Sequence, residues 1–144
     1  LDAQKLNESL IKPGALIQEN DWKVWNFIEN ELKTQFFDKG GKAQREYKTK
    51  PHGVSHLIGE QCHEGDPFRL YQVEPLREGM LLSNEPGIYG YFEIKIDGKL
   101  YKEYIGIRIE DNIYVTKNGS KNISKAIPKT IRDIELLMSE GKKL

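Results

Sequence analysis

Residues 80–116 read MLLSNEPGIYGYFEIKIDGKLYKEYIGIRIEDNIYVT, and this run decides the fold. Met80-Leu81-Leu82 is a short apolar run. Tyr89 to Ile96, Tyr104 to Ile109 and Ile113 to Val115 are rich in β-branched and aromatic residues, which suit a pleated, half-buried surface. Turn signals punctuate them at Asp97-Gly98, at Asp111-Asn112 and, just beyond, at Asn118-Gly119. The pattern predicts a mainly antiparallel sheet built of hairpins.

Outward from this run the period changes. Ala3, Leu6, Leu10 and Ile11 have helical spacing over 3–11, and Lys12-Pro13-Gly14 breaks it. A second helix is expected from Asp21 to Phe37 with Asn20 as its N-cap. Trp22, Trp25, Ile28, Leu32 and Phe36 would line its core face. Asp38-Lys39-Gly40-Gly41 ends it, and Lys42 to Lys50 looks like an exposed, solvated connection. Ile131, Ile134, Leu137 and Met138 return to helical spacing at the far end. Helices, then strands, then a helix give an α+β class in one domain spanning 1–144.

Composition narrows the function. The chain has 144 residues, 31% of them charged, with 22 Lys plus Arg against 22 Asp plus Glu. Zero net charge argues against nucleic acid as a partner, because a phosphate backbone calls for a basic surplus. No apolar run approaches the ~18 residues of a membrane span, and no signal peptide is visible. The single Cys62 cannot form an internal disulfide, so a reducing, cytoplasmic setting is expected. The chain opens on Leu1 rather than Met, which suggests a piece of a longer protein.

Three segments carry candidate chemistry. Pro51-His52-Gly53-Val54-Ser55-His56, with His63, holds every histidine of the chain within 12 positions. On a strand, His52, Val54 and His56 would share one face, so both imidazoles would look into one cleft. Ser83-Asn84-Glu85-Pro86-Gly87-Ile88-Tyr89 puts a carboxylate between an apolar strand and a Pro-Gly turn. In Gly106-Ile107-Arg108-Ile109-Glu110-Asp111, Arg108 and Glu110 alternate with isoleucines and point to one face; if that face is buried, each needs a partner. Each feature also has a plain structural explanation: a satisfied polar histidine, a strand-end carboxylate, an Arg108–Glu110 ion pair. One imidazole and two carboxylates nevertheless form a donor set suited to Mn, Zn, Co or Fe(II). From spacing alone a metal site and a structural polar cluster both stay open.

These segments, with Leu76-Arg77-Glu78-Gly79-Met80, resemble the signature of the aminopeptidase P, prolidase and methionine aminopeptidase family, whose members share the pita-bread fold. The resemblance runs from Leu1 to Glu140. Ile11-Lys12-Pro13-Gly14 resembles the Pro-Gly after a core helix of that family, and Pro128-Lys129 with Ile134-Glu135 looks like the tail of its Xaa-Pro branch. The resemblance implies an incomplete pita-bread fold, a curved and mainly antiparallel sheet with packed helices, as the C-terminal portion of the catalytic domain. It implies hydrolysis of an N-terminal Xaa-Pro bond, with peptides bearing proline at the second position as substrates. A non-catalytic pita-bread module that binds peptides or a protein partner is the alternative.

The implied roles fall residue by residue. His56 resembles the metal-ligating histidine, Glu85 the carboxylate ligand that also accepts a proton, and Glu110 the ligand bridging two ions. His52 and His63 resemble the histidines that contact the substrate carbonyl. Arg108 resembles the arginine supporting the carboxylates, and Tyr89 is expected to line the substrate pocket. The implied cofactor is a pair of divalent ions, Mn(II) in first place, with Co or Zn accepting the same donors. Two further aspartate ligands belong to strands preceding the helix matched by Leu1 to Ile11; neither Asp2 nor Asp21 stands in that motif. The chain is therefore expected to need its N-terminal half to complete the site, and its exposed sheet edge to associate with that half or in a homo-oligomer. Gly59-Glu60-Gln61-Cys62 departs from the family's run before the third histidine. Cys62 would sit near the cleft, most simply as a small buried hydrophobe.

Overall fold

The computed structural model describes residues 1–45, 47, 49–65 and 68–141. Helix α1 spans Asp2–Leu10 and α2 spans Ile17–Gln35. Strands follow as β1 (Lys42–Arg45), β2 (Leu81–Asn84), β3 (Gly87–Ile96), β4 (Lys99–Arg108), β5 (Asp111–Thr116) and β6 (Gly119–Asn122), and α3 (Ile131–Gly141) closes the order. All pairings are antiparallel, in two three-stranded sheets ordered β1-β3-β4 and β2-β5-β6. The expected α+β class and hairpins are what the chain forms.

The two sheets are two ends of one long ladder. Asn84 pairs with Asp111, and Gly87 pairs with Arg108. Glu85 and Pro86 therefore face Ile109 and Glu110 across a short break, bridged by the Ile109 N–H reaching the Pro86 carbonyl at 3.5 Å. Proline has no N–H to give to the ladder, so regular pairing lapses at this point. The β3–β4 turn has positive φ at both Asp97 (50°) and Gly98 (82°), the type I′ geometry that matches strand twist. Asp111-Asn112, in contrast, opens β5 rather than making a turn.

Two apolar clusters hold the layers together. Ile11, Ile17, Leu76, Leu82, Ile113 and Val115 form one, beneath β2 and β5. Val24, Trp25, Ile28 and Val54 form the other, between α2 and the histidine segment, with Ala3, Leu6, Leu10, Leu32 and Ile88 packed against it. Helix α2 begins earlier than its polar residues suggest. Asn20 is buried inside it and is not its cap, and Trp22 is 67% exposed while Trp25 faces the core. The stripe rotates because Ile17, Val24 and Ile28 take the inner face, which Trp22 does not share.

Two other expectations change, and the expected C-terminal helix forms with an unburied face. Residues 42–45, read as part of a loop, form β1 against β3 at Gly90, where φ is +143° and the backbone of Gln44 comes close. The segment 51–56 is not a strand; it makes turns and then runs extended beside β2, with Glu85 N–H on the Val54 carbonyl and Ser83 N–H on the His56 carbonyl. The apolar positions of α3 are exposed, Ile131 and Met138 among them. Strand β4 is an edge, and nearly all of it is exposed.

Candidate metal centre

The histidine segment is fixed from below. The buried Asp21 carboxylate accepts the Val54 N–H at 2.8 Å and pairs with Lys50. Asn7, fully buried on α1, donates to Ser55 Oγ and to Asn84 Oδ1, both at 2.9 Å. Asn84 in turn donates to the Gln4 carbonyl. These hydrogen bonds tie the segment to α1 and β2, although the Asn7 Oδ1 itself is buried without a partner among the described residues.

On that support His56 and Glu85, both buried, meet at 3.1 Å between Nε2 and Oε1. Ser83 sits between them, accepting the His56 N–H at 2.9 Å and donating to Glu85 Oε1 at 3.2 Å. The other carboxylate oxygen faces Arg108 Nη1 at 3.3 Å, although the arginine side chain is half-exposed. His56 Nδ1 lies 2.9 Å from the Leu57 carbonyl and must donate to it. In the neutral tautomer so selected, Nε2 presents a lone pair to a carboxylate oxygen. Two acceptors at that distance need a positive species between them, a proton or a metal ion. Both can reach one ion at the ~2.1 Å ligand distances of such sites. These two donors fit a divalent cation, but the described residues do not bring a Glu110 oxygen within 4.8 Å of both.

The remaining residues stand as follows. His52 Nδ1 lies 2.7 Å from the Gly53 carbonyl, and its Nε2 accepts from the Tyr89 hydroxyl at 3.0 Å. The His63 ring lies against His56 with centroids 4.2 Å apart. His52, His56, His63 and Glu85 all line one cavity of about 550 Å³, which Arg69 and Tyr71 also border. The single cleft expected for the histidines is thus present, made by turns rather than by strand alternation. Glu110 is exposed; the ladder sets it opposite Glu85 but gives it no ion pair or hydrogen bond among the described residues. Arg108 does not pair with Glu110, because Glu85 takes its guanidinium. Cys62 is exposed rather than buried. The structure adds Ser83 to the site, and gives Asp21, which lies outside the aspartate motif, a supporting role on the Val54 backbone. Ser83 lies inside the quoted glutamate segment, but a lone serine on a strand carries no signal.

Beside Glu110, Asp111 is the most heavily bonded carboxylate of the described chain. It is buried and accepts from Gln4, Asn122, Ser124 and Lys129. Burial works to raise its pKa, but the hydrogen bonds of Ser124, Lys129 and Asn122 and the charge of Lys129 outweigh it and hold the carboxyl below its ordinary value.

Comparison with known proteins gives one consistent answer. The description "Metallopeptidase family M24" matches residues 1–117. The Xaa-Pro aminopeptidase of Escherichia coli (strain K12) is 36% identical over 150 residues, covering 99% of this chain and 33% of the relative. That of Haemophilus influenzae is 33% identical over 148 residues, covering 96% of this chain and 33% of the relative. The solved structure of E. coli aminopeptidase P with the inhibitor Pro-Leu aligns with a TM-score of 0.71 at 26% identity, over 99% of this chain and 33% of that one. The chain spans about a third of the length of the relatives it matches. Its helices and its broken ladder are accordingly part of a pita-bread fold. With the family description matching 117 of 144 residues, the chain belongs to metallopeptidase family M24.

Proposed function

We propose that this chain carries the histidine–carboxylate part of a centre that hydrolyses the N-terminal Xaa-Pro bond, with a divalent ion held by His56, Glu85 and Glu110. The observation that carries the reading is the His56 Nε2–Glu85 Oε1 approach of 3.1 Å, with Nδ1 already committed to the Leu57 carbonyl. Two Mn(II) would be the pair in the complete site, and Co or Zn would accept the same donors. When bound, such ions supply water activation and Lewis-acid polarisation of a carbonyl.

The chain's own residues would do the rest. Glu85 takes the proton of the attacking water and returns it to the leaving amine, and Arg108 and Ser83 keep its carboxylate oriented. His52 and His63 border the cavity in which the scissile carbonyl would lie. His52 Nε2 accepts from Tyr89, so opposing an oxyanion requires the imidazolium form or withdrawal of the hydroxyl. Tyr89 then shapes the pocket for peptides with proline at the second position.

The resemblance calls for two aspartates that have no counterpart in the matching motif here. A complete centre would take them from an N-terminal half, and the open β4 edge offers a place for that half or for a second copy to pack. The exposed free Cys62 suits a reducing, cytoplasmic setting. In calorimetry with Mn(II), the 144-residue chain should bind weakly, and Glu85→Gln should lower the affinity at least about tenfold. It should not cleave a Xaa-Pro peptide until the aspartate-bearing segment is added. Hydrolysis by the purified chain with Mn(II) alone, abolished by Glu110→Ala, would overturn the incomplete-centre reading. Metal-independent binding of a proline-containing peptide would favour a non-catalytic module instead.

A further inference from the structure

Besides the His56–Glu85 pair, the described residues hold one group of three side chains able to grip a cation, and it shares His56. His56, Cys62 and His63 bring one ligand atom each to within 4.8 Å of one another. The loop between them is pinned at its base. Leu57 bridges Glu64, with the Glu64 N–H on the Leu57 carbonyl at 2.9 Å, and this closure lays the His63 ring against His56. Within the loop, Gly59 N–H donates to the Gln61 carbonyl and the Gln61 N–H donates to Glu64 Oε2. The absence of a Cβ at Gly59 lets the Glu64 side chain lie close, since a Cβ would stand 2.6 Å from it. The thiol is thereby held at the surface beside two imidazoles rather than folded into the core.

We propose that His56, Cys62 and His63 form a thiolate-containing site for a borderline-soft divalent cation, Zn(II) above all. The chemistry differs from that of the carboxylate set. A thiolate and two imidazoles select Zn(II), Co(II) or Cd(II) and discriminate against Mn(II) and Mg(II), which favour oxygen donors. Three protein ligands leave one position of a tetrahedron to solvent, as in open zinc sites. His56 belongs to both donor sets. An ion held by Cys62 and His63 therefore draws on the imidazole that Glu85 also needs, and the two sites compete for it. Zinc would displace Mn(II) from this chain in proportion to its occupancy of the thiolate site. The proposal does not depend on peptidase activity, only on these three side chains.

The test uses the full 144-residue chain and metal ions alone. Co(II) titration should raise a near-ultraviolet thiolate-to-metal charge-transfer band. Cys62→Ser should lose that band, while Glu85→Gln should keep it. Cys62→Ser should weaken Zn(II) binding at least about tenfold and leave Mn(II) binding unchanged. In the unmodified chain, Zn(II) but not Mn(II) should slow labelling of Cys62 by a disulfide reagent about tenfold or more. Because that last measurement needs no substitution, misfolding of a variant cannot mimic its result. Absence of the charge-transfer band, unchanged labelling with Zn(II), or Zn(II) affinity that survives Cys62→Ser but falls with Glu85→Gln would each overturn the proposal. The last of these would leave the carboxylate site standing.

Discussion

Replacing Asp111 with Asn tests whether the polar spine behind the site holds the fold together. Asp111 is 3% exposed. Its Oδ1 takes Ser124 Oγ at 2.6 Å and Lys129 Nζ at 2.9 Å, and its Oδ2 takes Gln4 Nε2 and Asn122 Nδ2, each at 2.8 Å. An amide keeps one oxygen. Whichever way it is turned, two of the four donors then face an NH2 group, and the nearly buried Lys129 loses its counter-charge. An unsatisfied buried donor costs about 1–3 kcal/mol, and stripping one partner from a buried ion pair costs about 3–5 kcal/mol. These overlap, so the expected loss is about 3–5 kcal/mol, a large share of the roughly 5–15 kcal/mol that stabilises a domain. The pH dependence has a definite sign. The folded pKa of Asp111 lies below its ordinary value, so its stabilisation is fully present above about pH 5 and is lost as pH falls from about 4 through the folded pKa. Urea unfolding followed by the fluorescence of the buried Trp25 should show a constant gap between the two proteins near neutrality, narrowing in acid. A gap under about 1 kcal/mol at pH 7, or one that stays constant as pH falls well below 4, would refute the reasoning.

Two further substitutions probe the supports of the site. Gly90→Ala would put a Cβ 2.6 Å from the Gln44 carbonyl oxygen at φ +143°, and should cost at least about 1–3 kcal/mol, with faster hydrogen exchange confined to β1 and its partners in β3. Asn7→Ala should cost about 1–3 kcal/mol by orphaning Ser55 and Asn84, and should also weaken Mn(II) binding in calorimetry, because both residues flank the metal donors. Unchanged Mn(II) affinity in a folded Asn7→Ala chain would mean that the spine supports the fold but not the site.

Much of this protein is legible from residue order. The hairpin run 80–116 declares itself because strand residues alternate over long stretches and the Asp97-Gly98 turn needs a specific backbone geometry that few residues adopt. The histidine cluster, Glu85 and Arg108 stand out because polar groups interrupt apolar segments, and the structure gathers His52, His56, His63 and Glu85 around one cavity, with Arg108 on the carboxylate of Glu85. Helix α1 shows the limit. Its face toward the strands carries Gln4 and Asn7, both buried, at a spacing that in sequence looks like solvent-facing polarity. Only their partners, Asp111 and Asn84, 107 and 77 residues away, explain why amides sit there. Cys62 shows the same limit in reverse. A small apolar side chain is most simply assigned to the core, yet the pinned loop holds it outside beside His56 and His63. Composition and local spacing thus determine which elements form and which residues have chemistry to offer. Which of them meet, and whether a polar group is satisfied or a thiol is free to bind, depends on contacts between distant parts of the chain, and those exist only in the folded state.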